Sequence, residues 1–197
     1  MQKAKKIEIT KANYARYASK TCLPQCMQLA YLIPGLTSEF YEFMGKVDGA
    51  LAKQVREEGA IVPKKRIDAI KDEAGDVFWF IALLCLDCKI TFAKVYDEAV
   101  KVLKDNKQRS SFVAAGCVLS MNGTMMDRPL FVQSRIKHFA DKTTKDKKDE
   151  LVALLAHTLV VLKSMGITKF ESIMQSNIDK LASRQQRNQI QGDGDKR

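Results

Sequence analysis

Proline is scarce in this chain, with 4 among 197 residues, and glycine is limited to 10. So few chain breakers, with almost no alternation of apolar and polar residues, argue against an all-β sandwich or barrel, which needs frequent turns. No apolar run approaches the roughly 20 residues that cross a bilayer; the longest is Val77 to Leu86. The basic opening MQKAKKIEIT lacks the apolar stretch of a secretory signal, so a soluble, cytoplasmic protein is expected. The cysteines number 5, which is odd and without small-domain spacing, so a disulfide-stapled scaffold is excluded. Cys22 with Cys26 and Cys85 with Cys88 are conceivable zinc pairs, but the second pair sits in an apolar helical run, and buried structural thiols are expected. There is no Ser-His-Asp or Cys-His arrangement and no phosphate-cradling glycine loop. Of the 2 histidines, His157 falls in an apolar run and His138 among cations.

What remains is helical and cationic. Hydrophobic residues make up 46% and charged residues 28%, as in ordinary globular domains, and a net charge of +10 favours polyanionic partners. Helical periodicity predicts a helix from Ser19 to Ile33 ended by Pro34 and Gly35, then one from Ser38 to about Glu57 with Thr37 as its N-cap. Further helices are expected at Asp68–Asp87, from Ile90-Thr91-Phe92 to about Lys104, and near Ser110–Met121, Leu130–Lys142, Lys148–Met165 and Lys169–Ser183, with a polar tail over 185–197. The expected fold class is all-α.

The chain also repeats itself. Asp72-Glu73, an apolar helix, Lys89-Ile90-Thr91 and a second helix align with Asp149-Glu150, an apolar helix, Gly166-Ile167-Thr168 and a second helix, at an offset of 77. The polar break Asp105 to Arg109 divides a first repeat, residues 1–105, from a second, residues 106–184.

The chemistry lies in the first repeat. Glu39 and Glu42 are three apart on one expected helix, and Glu73 and Asp76 three apart on another, which puts each pair on one helical face. Their company is bulky and apolar: Phe40, Tyr41, Phe43 and Met44 around the first pair, Val77-Phe78-Trp79-Phe80 after the second. If the two faces meet, four carboxylates repel one another unless a cation lies between them, and hard oxygen ligands suit Mg²⁺ or Mn²⁺. Lys46 is four residues from Glu42, which suits a salt bridge or a phosphate contact, and Trp79 suits the core or a stack on a base.

At these residues the sequence resembles the MazG-like all-α nucleoside triphosphate pyrophosphohydrolases, the superfamily that includes dimeric dUTPases. Its E-x-x-E half is matched by Glu39-Phe40-Tyr41-Glu42 and its E-x-x-D half by Glu73-Ala74-Gly75-Asp76. Its closing N-x-x-K-L-x-x-R is matched by Asn177, Lys180, Leu181 and Arg184, and Tyr14 to Thr21 is similar to its opening helix. The motifs are divided between the repeats: the first has Val100 and Leu103 where the closing motif should stand, and the second keeps Glu150 but has Ala153 for the aspartate. The resemblance therefore implies a helical bundle of tandem, diverged repeats, a fused pseudo-dimer that could dimerise again, with one acidic site. It implies Mg²⁺-dependent hydrolysis of a nucleoside triphosphate to the monophosphate and pyrophosphate, with Glu39, Glu42, Glu73 and Asp76 as catalytic metal ligands. Lys46, Trp79, Asn177, Lys180 and Arg184 would contact substrate. The competing expectation is a basic helical module without catalysis that binds nucleotide or nucleic acid through Lys64-Lys65-Arg66 or the lysines from Lys142 to Lys148.

Overall fold

The computed structural model describes residues 7–56, 62–105 and 129–187. Among the described residues there is no strand; seven α-helices and one short 3₁₀ turn, Pro24–Cys26, make up the ordered elements. The helices are α1 (Tyr14–Lys20), α2 (Leu29–Arg56), α3 (Lys64–Asp87), α4 (Phe92–Lys104), α5 (Pro129–Ala140), α6 (Thr144–Ser164) and α7 (Phe170–Gln186). None is long and apolar enough to cross a membrane. The helix expected over 110–121 and most of the polar tail lie outside the described residues.

α3 is the central element. Every residue from Val77 to Cys85 is buried, because a helix apolar on all sides must be covered on all sides. α2 and α7 pack along it, α1, α6 and α4 contact it as well, and α4 lies along α6.

α2 corrects the sequence reading. Pro34 and Gly35 do not end a helix; both lie inside one. Its buried stripe, Leu32, Ile33, Leu36, Phe40, Phe43, Val47 and Ala50, runs through the proline at helical spacing, so burial against α3 outweighs the lost backbone donor. Gly35 marks the closest approach, since a Cβ there would stand 2.4 Å from the Phe80 ring. Thr37 is not an N-cap: its hydroxyl donates back to the Ile33 carbonyl at 3.0 Å. The first helix also starts earlier than expected, at Tyr14, and ends at Lys20.

The two hairpins, α3–α4 and α6–α7, turn in the same way. Lys89 and Gly166, 77 apart, both have positive φ, at 57° and 77°. Around them Ile90 N–H bonds the Cys85 carbonyl at 2.7 Å and Ile167 N–H bonds Leu162 at 2.9 Å. Lys89 N–H bonds Leu86 and Gly166 N–H bonds Lys163, both at 3.0 Å, completing a Schellman closure at each corner. Beyond the corner the sequence alignment slips. α4 starts at Phe92 and α7 at Phe170, because Met165–Lys169 is one residue longer than Cys88–Thr91, so the offset becomes 78. Asn177 and Lys180 consequently correspond to Ala99 and Val102, not to Val100 and Leu103.

Candidate metal centre

α2 and α3 place three carboxylates together. One oxygen each from Glu39, Glu42 and Glu73 lies within 4.8 Å of the other two. Glu73 forms the floor, 6% exposed, Glu39 is half-buried and Glu42 stands exposed at the lip. The geometry follows from the two i, i+3 pairs and from the close α2–α3 packing on either side of Gly35. All donors are hard oxygens, a set suited to Mg²⁺ or Mn²⁺.

Asp76 departs from the expected fourfold convergence. It is not part of that tight group; both its oxygens are held by α7. Asn177 Nδ2 donates to Oδ1 at 2.7 Å and Lys180 Nζ to Oδ2 at 2.6 Å. Asp76 nevertheless acts on the cluster. Burial, then the charges of Asp76, Glu42 and Glu73, push the Glu39 carboxyl from 4.5 up to about 8, with Lys180 pulling the other way. Lys46 brings one positive charge to the cluster, its Nζ 3.5 Å from Glu73 Oε1. That pair replaces the i, i+4 bridge to Glu42 considered from spacing.

A second layer orients Asn177. This side chain is 3% exposed, and its Oδ1 accepts from the fully buried Tyr14 hydroxyl at 3.0 Å; the same hydroxyl lies 3.3 Å from the Gly75 carbonyl. With its oxygen turned to Tyr14, the amide presents its NH₂ to Asp76. Burial holds the Tyr14 phenol well above its ordinary pKa, so it remains a donor. Sequence reasoning named Tyr14 only as part of an opening helix; a tyrosine flanked by small residues was the one available signal. Gly75 matters for the same junction, since a Cβ there would lie 3.0 Å from Asn177 Cβ.

The remaining candidates divide. Arg184 continues the Asn177–Lys180 stripe one turn further along α7 and is half-buried, without an ion pair among the described residues. Trp79 is 8% exposed, and its indole N–H donates to Thr21 Oγ1 at 3.0 Å and the Ala18 carbonyl at 3.2 Å. It is a core residue pinning α1 to α3 and offers little ring face to a base. His157 is buried against Phe40 and His138 is exposed.

Among the described residues no cluster of cysteine ligands forms. Cys85 is buried as expected, but Cys22, Cys26 and Cys88 are only half-buried, and Cys117 lies outside the described residues. Burial raises Cys22 to about 11 and Cys85 to about 12, which leaves little thiolate for nucleophilic or ligand chemistry. Comparison with protein-family models, curated proteins and solved structures finds no match for this chain.

Proposed function

We propose that the protein is an Mg²⁺-dependent nucleoside triphosphate pyrophosphohydrolase, releasing the monophosphate and pyrophosphate. One observation carries the reading: three convergent carboxylates on α2 and α3 stand beside an Asp76 that an asparagine and a lysine from α7 hold on both oxygens. The MazG-like resemblance supports the reading by its residues, although it implies four converging carboxylates with Asn177 and Lys180 on substrate, whereas here the two α7 side chains bond Asp76.

Glu39, Glu42 and Glu73 would hold the cation, with Asp76 at its edge. Bound Mg²⁺ or Mn²⁺ supplies charge stabilisation to phosphate oxygens and lowers the pKa of water. Lys180 and Lys46, now on Asp76 and Glu73, are the cations nearest the cluster and the groups to hold a phosphate tail; Arg184 extends the same stripe. Asn177, fixed by Tyr14, offers its amide at the boundary between Asp76 and substrate. Buried Glu73 and the apolar stripes of α2 and α3 exclude bulk water from the floor, which strengthens each electrostatic contact.

The two hairpins support a further part of the reading. α3 packs on α7 while α4 packs on α6, so each hairpin's first helix lies on the other's second. A reciprocal exchange of this kind is how two copies meet around a twofold axis. We read the chain as a duplicated unit whose second half completes the site of the first.

The test is a panel of common nucleoside and deoxynucleoside triphosphates with Mg²⁺ and Mn²⁺, read by pyrophosphate release. At least one should turn over, and Glu39→Ala or Asp76→Ala should abolish turnover without loss of helical circular dichroism. Turnover retained in Asp76→Ala, or pyrophosphate from none of the panel, overturns the proposal.

A further inference from the structure

The cations used by the carboxylate site do not account for those at the neighbouring end of the molecule. Residues 9–38 contain no Asp or Glu, and neither do residues 180–192. The fold joins these two acid-free stretches. α1 packs on α7, and Gln185 Nε2 donates to the Lys20 carbonyl at 3.4 Å. Arg16 and Lys20 on α1 are thus brought to Arg184 and Arg187 at the end of α7. None of these four has an ion pair among the described residues, whereas Lys46, Lys142, Lys148 and Lys180 all do.

Two of the four are also held in place. The Arg16 guanidinium lies 5.0 Å and the Lys20 ammonium 4.8 Å from the centre of the Tyr17 ring. Like charges at i, i+4 repel by a few tenths of a kcal/mol in a helix, yet here both are drawn to one ring. Cations fixed this way lose less side-chain entropy when an anion arrives.

We infer that the joined ends of α1 and α7 bind the phosphate backbone of a single-stranded nucleic acid. Arg184, and Arg187 just past the last helical residue of α7, are three residues apart on one face, about 4.5 Å at 1.5 Å per residue. A strand with one charge per roughly 3.4 Å sets about two phosphates against that pair. The cations of α1 lengthen the footprint beyond what a lone triphosphate tail fills. A lipid surface is disfavoured because, among the described residues, the exposed large apolar side chains are Ile7, Tyr31, Tyr41 and Leu86, none on α1 or α7.

The inference does not depend on the carboxylate cluster, so it is tested with the full chain in EDTA, where metal chemistry is silent. The probe is a labelled twelve-nucleotide oligo(dT) or oligo(rU), titrated between 50 and 200 mM salt. Four phosphate contacts predict a log–log salt slope of about −3. The double variant Arg16→Glu/Arg187→Glu should weaken binding about tenfold or more and flatten the slope by about 1.4. The neutral pair Arg16→Gln/Arg187→Gln should lose a smaller part in the same direction, which guards against misfolding of the charge reversal. Equal loss in Lys64→Glu/Lys65→Glu, at the start of α3, would mean that overall charge does the binding and would overturn the inference. So would competition by inorganic triphosphate as effective as competition by oligonucleotide, or binding to anionic vesicles without binding to either oligonucleotide. A fall in melting temperature with binding unchanged would make these side chains helix-end counter-charges and overturn it too.

Discussion

Glu39 makes the carboxylate cluster measurable before any substrate is known. Its carboxyl is raised from 4.5 to about 8, first by burial and then by Asp76, Glu42 and Glu73. Between those two values the folded protein keeps a proton on Glu39 that the unfolded chain has released. The folded state then binds more protons, so the slope of stability against pH is negative: this contribution is intact below about pH 4.5 and lost as pH rises through about 8. The whole interval corresponds to about 5 kcal/mol at 1.36 kcal/mol per unit. Glu39 is only half-buried, so screening leaves about 1–3 kcal/mol, or roughly 3–10 °C in melting temperature for a chain of this size.

The assay is thermal unfolding in EDTA from pH 5 to 8.5, for wild type and Glu39→Gln. Subtracting the two removes carboxylates and histidines common to both. Wild type should lose stability relative to the variant across the window. If the cluster is the proposed metal site, Mn²⁺ or Mg²⁺ would bind its ionised form and only the folded state, and should restore more stability at pH 8.5 than at pH 5.5. Parallel curves for wild type and Glu39→Gln, or a metal effect independent of pH, would refute the picture of three crowded carboxylates that a cation would relieve.

Other outcomes follow from the same contacts. Gly75→Ala should change stability by less than about 1 kcal/mol, because the gain in helix propensity offsets the crowding of Asn177. It should still slow pyrophosphate release, because the added methyl shifts Asn177 from Asp76; an unaltered rate would count against that contact. Tyr14→Phe strips a buried amide oxygen of its donor and should cost about 1–2 kcal/mol in chemical denaturation. The matched corners give opposite signs: Lys89→Gly should stabilise and Gly166→Ala destabilise, each by about 1 kcal/mol, because both positions have positive φ.

The helical class and the acidic pairs were legible because both depend on spacing within one element. The E-x-x-E and E-x-x-D patterns fix which side chains share a face, and the apolar run after Asp76 fixes which helix is central. What spacing could not show was decided by contacts between elements. Pro34 looked like a helix end because the local rule says so, and only the stripe from Leu32 to Ala50 lying against α3 explains why α2 continues. Lys46 had two acidic neighbours in reach, and the α2–α3 packing, not the i, i+4 rule, chose Glu73. Tyr14 meets Asn177 across 163 residues of chain, a distance at which periodicity carries no information. The shift from 77 to 78 was invisible because one extra residue in a corner leaves both helices amphipathic while rotating which residues are equivalent.

That rotation bears on why one site should suffice. With the corrected correspondence, the counterparts of Asp76, Asn177 and Lys180 are Ala153, Ala99 and Val102. Ala99 and Val102 are buried, so the α4–α6 contact is apolar where the α3–α7 contact is polar. Glu150, counterpart of Glu73, is paired with Lys142 at 3.1 Å. A second acidic cluster would need its carboxylates, its amide and its lysine together, since a partial set leaves buried charge without compensation. Lacking all three polar partners at the α4–α6 contact, and having all three at the α3–α7 contact, is the arrangement that avoids this cost. It leads to a stoichiometry of one metal cluster per chain, not two, and a titration of Mn²⁺ against the intact protein that saturates at two equivalent clusters would contradict it.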